Sequence, residues 1–310
     1  MANLLIKNMS TNLVAQMLPP VLSIALLPFY LHYLGVEALG LVGVLFALIS
    51  ALGIFTKGVS WGFQREVSQR LVSGSSGIPD LLRTFELAFW LAGVVIGLLL
   101  AASAGLISEK ILTSETLDES LVSGCILILA IRIAFVFTIS VHVGFLFGLE
   151  KQVVVNAVLT AFYFAGSLTS VSFVLVYESV VVLFVVEGLQ TFISLFILRK
   201  YSYKQATLVN HAPPKFNKRE LRSLWRDSSH LIGIHGAGVA IKVVDRLMVG
   251  ALLPLSSVAS YNIGRAGGEL LTLIYGAYLA AIFPRTCKLV ELQPETIASN
   301  IILNSKVLWA

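Results

Sequence analysis

Two bilayer-length apolar segments between residues 229 and 283 carry Lys242, Asp245, Arg246, Arg265 and Glu269 near their middles. An ionisable side chain at bilayer depth costs about 2.5 to 3.5 kcal/mol on insertion scales, so such groups face a bundle interior, a water-filled cavity or a partner charge. At 100° per residue, Ser228, His235, Lys242 and Arg246 fall on one helix face within about 40°, with Asp245 to one side. Lys242 can meet Asp245 at i+3, Asp245 can reach a neighbouring helix, and Arg246 offers the planar fork that suits phosphate or carboxylate. The next segment sets Asn262, Arg265, Glu269 and Thr272 along one side, with Arg265 and Glu269 spaced to pair. Two readings follow: a polar pathway for a charged cargo, or a self-satisfied ion network that holds helices together.

The first half adds Arg132, too deep in its span for easy snorkelling, Glu187 in mid-span, and Glu86 nearer the inner surface. Arg132, Lys242, Arg246 and Arg265 stand against Glu187, Asp245 and Glu269, plus Glu86, so the two signs nearly balance; a cationic excess in the cavity itself would favour an anionic cargo. Asn8, Asn12, Gln16, Pro19, Pro20, Ser23 and Tyr30 lie broadly along one side of the first helix. Pro19-Pro20 is expected to break the backbone ladder and bend that helix, as a gate or as a static kink. His32 and His142 read as interfacial or packing residues. No Cys/His metal spacing, phosphate-cradling Gly loop or nucleophile-base motif is present in the sequence, so neither an enzyme nor a cofactor or metal is expected. A membrane sugar transferase would also need a substantial acidic outer loop, and the cluster at 109 to 119 is short.

These side chains need elements to hold them in a bilayer. The chain is 57% hydrophobic and only 13% charged, with a mean hydropathy of +0.87, far from soluble domains, where about 25% of residues are charged. Runs of about 20 apolar residues predict spans near 12–33, 39–56, 85–107, 121–147, 153–176, 179–198, 229–252 and 257–283, with a ninth beginning near Asn300. Continuous rather than alternating apolar runs argue against a barrel. One alternating set of loops holds 16 of the 22 Lys and Arg and the other holds Lys110 alone, which puts the N-terminus in the cytoplasm and the 108–120 loop outside. The net charge of +5 therefore reflects topology and calls for no nucleic-acid partner. Nothing before residue 12 resembles a cleavable signal. Cys125 and Cys287 fall at opposite membrane faces and are expected to remain unbridged.

Three units are expected: a six-helix transmembrane lobe at 1–198, a basic cytoplasmic linker at 199–227 and a partial second lobe at 228–310. In the linker, Leu221, Leu224 and Trp225 lie beside Lys218, Arg219, Arg222 and Arg226, the pattern of either a short helix on the inner leaflet or an ordinary stop-transfer loop. A weak internal repeat pairs 36–41 with 256–261: a polar-faced helix, a very short outer turn, and a second helix that starts with small residues. Both units start at the cytoplasm, as parallel repeats do. The second unit stops after two helices and the first residues of a third.

The run 27–41, the run Lys242-Val243-Val244-Asp245-Arg246-Leu247-Met248-Val249-Gly250, residues 256–262 and Phe283-Pro284-Arg285 resemble the O-antigen-type polysaccharide flippases of the multidrug/oligosaccharidyl-lipid/polysaccharide superfamily. The resemblance implies an all-α, MATE-like transmembrane bundle in the bacterial inner membrane, with two six-helix lobes around a central cavity. It implies alternating access that carries an undecaprenyl-diphosphate-linked oligosaccharide, an O-antigen or other surface polysaccharide unit, to the outer leaflet. Arg132, Lys242, Arg246 and Arg265 would meet the substrate in the cavity, and Glu187, Asp245 or Glu269 would be a coupling acid or charge partner. Against the family pattern the chain reads as truncated at its C-terminus. The alternatives are a drug or cation antiporter of the same superfamily, which should show acidic, aromatic cavity walls, and a non-transporting scaffold bound to other polysaccharide assembly proteins.

Overall fold

The computed structural model describes residues 2–73, 77–110, 112, 114, 116–209, 214–222, 243–265, 283, 286 and 287. Helix α1 spans Ala2–Ser73, α2 Ile78–Lys110, α3 Glu119–Gly148, α4 Gln152–Tyr177 and α5 Val181–Val209. All five are long and apolar enough to cross a membrane. Further helical turns occupy 218–222, 243–252 and 255–265.

Helix α1 is two arms joined at Gly35, whose φ of 82° lies where side chains with a Cβ are disfavoured. The first arm pairs with α4 in parallel, Asn12 with Gln152 and Ser23 with Tyr163. The second arm runs parallel to α3, Ser60 with Ser140 and Ser68 with Gly148. Helix α5 also runs parallel to α3, through Arg132 with Glu187 and Phe135 with Phe192, and antiparallel to α4, where Gly166 meets Gln190. The two arms of α1 are therefore antiparallel, and with α2 to α5 they make six alternating crossings. Glu37 marks the shared end of the bundle, accepting hydrogen bonds from Ser114 Oγ (2.6 Å) and from Thr116 N (2.9 Å) in the α2–α3 connection.

Three local expectations change. The backbone keeps helical dihedrals through Pro19 and Pro20, and the break inside α1 lies at Gly35, in the gap expected between the first two spans. Proline's fixed φ suits a helix, whereas the glycine φ does not. The second arm continues past 56 to Ser73, because Val59, Phe63 and Val67 recur at helical spacing and are buried. Helix α5 likewise runs on to Val209, with Leu198, Tyr201, Tyr203 and Ala206 packed on the core. The start of the short helix at 218–222 docks on protein: Glu220 pairs with Arg70 at 2.6 Å, Lys215 N donates to Asp80 and Asn217 N donates to Thr84.

Two apolar clusters fill the bundle. Near the Gly35 end Leu41, Leu45, Leu129 and Phe184 pack with Leu255 and Val258 of the second half. A Cβ on Gly40 would lie 1.9 Å from the Leu255 carbonyl oxygen, so backbone meets backbone there. At the opposite end Phe63 stacks obliquely on Phe85 (centroids 5.2 Å apart) and Phe145 (6.3 Å), with Phe89 against Phe137. Cys125 and Cys287 are free and buried.

Candidate substrate cavity and its buried charges

A cavity of about 300 Å³ opens in the half of the bundle nearer Gly35, between α1, α4, α5 and the described part of the second half. Its polar wall includes Tyr30, Tyr163, Ser170, Glu187, Arg246 and Asn262; Phe46 and Leu183 contribute to the apolar wall. The first-helix stripe read from the sequence turns towards α4. Asn12 Nδ2 donates to Gln152 Oε1 (2.7 Å), Asn156 donates to Asn12, and Tyr163 Oη donates to the Pro19 carbonyl (3.2 Å) while sharing a bond with Ser23. The partners Gln152, Asn156 and Tyr163 recur on one face of α4, a polar periodicity that the sequence offered and the reading missed.

Arg132 does not line the cavity wall. Its guanidinium binds Glu187, its Nε donates to Thr191 Oγ1 (3.2 Å), and it sits 6.0 Å over the Phe46 ring. Arg132 Cζ therefore lies behind two residues that face the cavity, Glu187 and Phe46. Glu187 is 22% exposed and Arg132 17%. In the second half Asp245 accepts from Arg265, from Tyr261 Oη and from the Arg246 backbone N (2.8 Å). Asp245 thus does reach the neighbouring helical stretch, across the two-residue turn at Leu253-Pro254. Arg246 itself lines the cavity together with Tyr30 and Glu187. Asn262 Oδ1 and Nδ2 are buried without a hydrogen-bond partner among the described residues. Lys242 and Glu269, with Ser228, His235 and Thr272, lie outside the described residues.

A second charged centre lies at the far end of the bundle. Glu86 is 1% exposed and accepts from Arg199 Nε, Tyr203 Oη and Arg83 Nη1 (3.2 Å), with His142 Nε2 at 3.8 Å. Arg199 had read only as a topology signal and His142 as a packing residue. Among the described residues no cluster of three or more His, Cys, Asp or Glu could hold a metal ion.

Six alternating crossings of long apolar helix, with carboxylate–guanidinium pairs inside and a polar cavity among them, define the class: a multi-pass membrane protein. The chain belongs to the polysaccharide biosynthesis protein family, whose sequence model matches residues 5–290. This is the family of O-antigen-type flippases in the superfamily named above, and its members are transporters rather than enzymes. No curated protein matches the chain. A solved structure named protein A superposes with a TM-score of 0.79 at 12% identity, over 99% of this chain and 70% of its own; that likeness shows the fold.

Proposed function

We propose that the chain moves a polyprenyl-diphosphate-linked oligosaccharide, an O-antigen or other surface polysaccharide unit, from the inner to the outer leaflet of the bacterial plasma membrane by alternating access. The observation that carries this reading is the cavity itself, which brings Arg246 from the second half together with Tyr30, Tyr163 and Glu187 from the first. A guanidinium binds phosphate oxygens through its planar fork, and hydroxyl and amide side chains such as Ser170 and Asn262 suit sugar hydroxyls. The polyprenyl tail stays in lipid. Lys242 and Arg265 add cations on the same half, and Arg132 acts through Glu187.

On this reading the N-terminus is cytoplasmic, as the distribution of Lys and Arg supports. Residues 1–198 form the first lobe, 199–227 a basic linker and 228–310 part of a second lobe, and the two lobes rock against each other across the Gly40–Leu255 contact. Glu187, Asp245 or Glu269 carries the coupling ion or balances the cavity charge, and Gly35 gives the first helix its place to flex. Expression in a bacterial strain without its own O-antigen flippase tests the proposal. Restored surface polysaccharide that is lost again with Arg246→Ala supports it. Full surface polysaccharide with the Ala variant removes the binding role of Arg246.

A further inference from the structure

The end of the bundle opposite Gly35 carries an open pocket whose wall includes Arg83, Arg199, Lys200, Tyr203 and Phe196. Its cations are held in place from inside. Buried Glu86 binds Arg83 and Arg199 on one side, and the Arg199 guanidinium lies 5.2 Å over the Tyr203 ring. Arg83 and Arg199 remain 37% and 38% exposed, and Lys200 is exposed. One buried carboxylate thus holds two of the three cations in this wall, and Lys200 stands beside them, leaving a positive excess turned outward.

An apolar groove of about 530 Å³ runs between α4 and α5 past Phe162, Phe173, Val182, Leu189 and Ile193. Along α5, Val182, Val185, Leu189, Ile193, Phe196 and Lys200 follow one another at steps of three or four, a single helix stripe. The rise from Leu189 to Lys200 is about 16 Å, close to the depth of one leaflet of a bilayer whose core is about 30 Å thick. A stripe that is apolar at leaflet depth and cationic at its end has the polarity of a phospholipid. We propose that this face binds an acidic glycerophospholipid, with its phosphodiester between Arg83, Arg199 and Lys200 and an acyl chain along Phe196, Ile193 and Leu189. Basic pockets of this sort recognise anionic head groups through charge and the guanidinium fork. The cationic wall and the stripe from Phe196 to Leu189 lie apart from the substrate cavity, which the groove borders at Gly166 and Gln190, and the site does not depend on the cavity's cargo.

Native mass spectrometry of the intact purified chain, released from detergent in the presence of equal phosphatidylglycerol and phosphatidylcholine, reads the preference directly. Phosphatidylglycerol should be retained selectively. Lys200→Glu should lower that selectivity about twenty-five-fold, since it changes the charge by two units, each worth roughly a factor of five near the head groups. Lys151→Glu, in the α3–α4 turn at the same end of the bundle, should leave it unchanged. Arg83→Gln, which keeps Glu86 bonded to Arg199 and Tyr203, gives a second reading should Lys200→Glu fail to fold. Equal retention of the two lipids overturns the proposal, as does wild-type selectivity in the folded variants. Displacement of the lipid by inorganic phosphate alone would make this a free-anion site and overturns the lipid assignment.

Discussion

Glu86 and Glu187 are each a carboxylate on a long apolar helix that meets an arginine from another helix, yet they sit in opposite kinds of surroundings. Glu86 is 1% exposed, accepts hydrogen bonds from three side chains and lies near Phe85, Phe89 and Tyr203, screened from the open pocket beyond by those same donors. Glu187 is 22% exposed, has one guanidinium partner and borders a cavity of about 300 Å³. A buried ion pair is weak evidence of stabilisation unless further hydrogen bonds satisfy its remaining lone pairs. Glu86 meets that condition and Glu187 leaves capacity unused beside a space that water or substrate can enter. The first centre fixes how α2, α3 and α5 meet. The second keeps a charge available, as a transport pathway requires.

The largest effect that separates the two regions is functional. Arg246→Ala should abolish surface polysaccharide in the complementation strain while the protein still inserts and melts at the wild-type temperature in detergent. A drop in melting temperature large enough to explain the lost export would move Arg246 into the structural class with Glu86. Next comes the packed end: Phe63→Ala should cost about 3 to 5 kcal/mol, because Phe63 is 1% exposed and touches the rings of Phe85 and Phe145. Phe46→Ala, at the cavity wall, should cost under about 2 kcal/mol, since part of that ring already faces open space. Unfolding in denaturant compares the pair, and equal losses would erase the difference between the two halves.

Much of the fold was legible because bilayer-length apolar runs are a strong signal, and six of them give the alternating crossings of the first half. The turn before Leu255 was also legible, from the very short break at Pro254 between two polar-faced helices. Helix ends were not. Lys57, Arg65 and Arg70 carry the topology signal in residues that Val59, Phe63 and Val67 nevertheless fold into helix, so charge marked the membrane boundary and not the end of the element. Pro19-Pro20 pointed to a broken ladder where the backbone stays helical, whereas the break at Gly35 falls in the gap expected between the spans at 12–33 and 39–56. The charges were found singly, but their pairing was not. Arg132 with Glu187 and Arg199 with Glu86 depend on α3, α2 and α5 being neighbours, which no local spacing reveals, whereas Asp245 and Arg265 flank a short turn and their reach was predictable. Asn262, read from the sequence only as part of a polar stripe, places in the cavity wall a buried amide that has no hydrogen-bond partner among the described residues.

Glu86→Ala should destabilise the chain by about 2 to 3 kcal/mol. It strips Arg199, Arg83 and Tyr203 of a common acceptor, and the partial exposure of both arginines holds the loss below that of a fully buried pair. Export per folded molecule should stay near wild type. Glu187→Gln gives the smallest change, a loss of about 1 kcal/mol. Arg132 keeps Thr191 as an acceptor and the adjoining cavity admits water to the uncovered charge. The same substitution removes a proton-binding group from the cavity wall, so its effect should fall on the dependence of export on an imposed gradient. Thermal melting of the two variants side by side, with transport assayed in vesicles with and without a pH gradient, separates the contributions. A Glu187→Gln loss as large as that of Glu86→Ala, with the gradient dependence intact, would make Arg132–Glu187 a second structural anchor and leave Asp245 and Glu269 as the remaining candidates for the coupling acid.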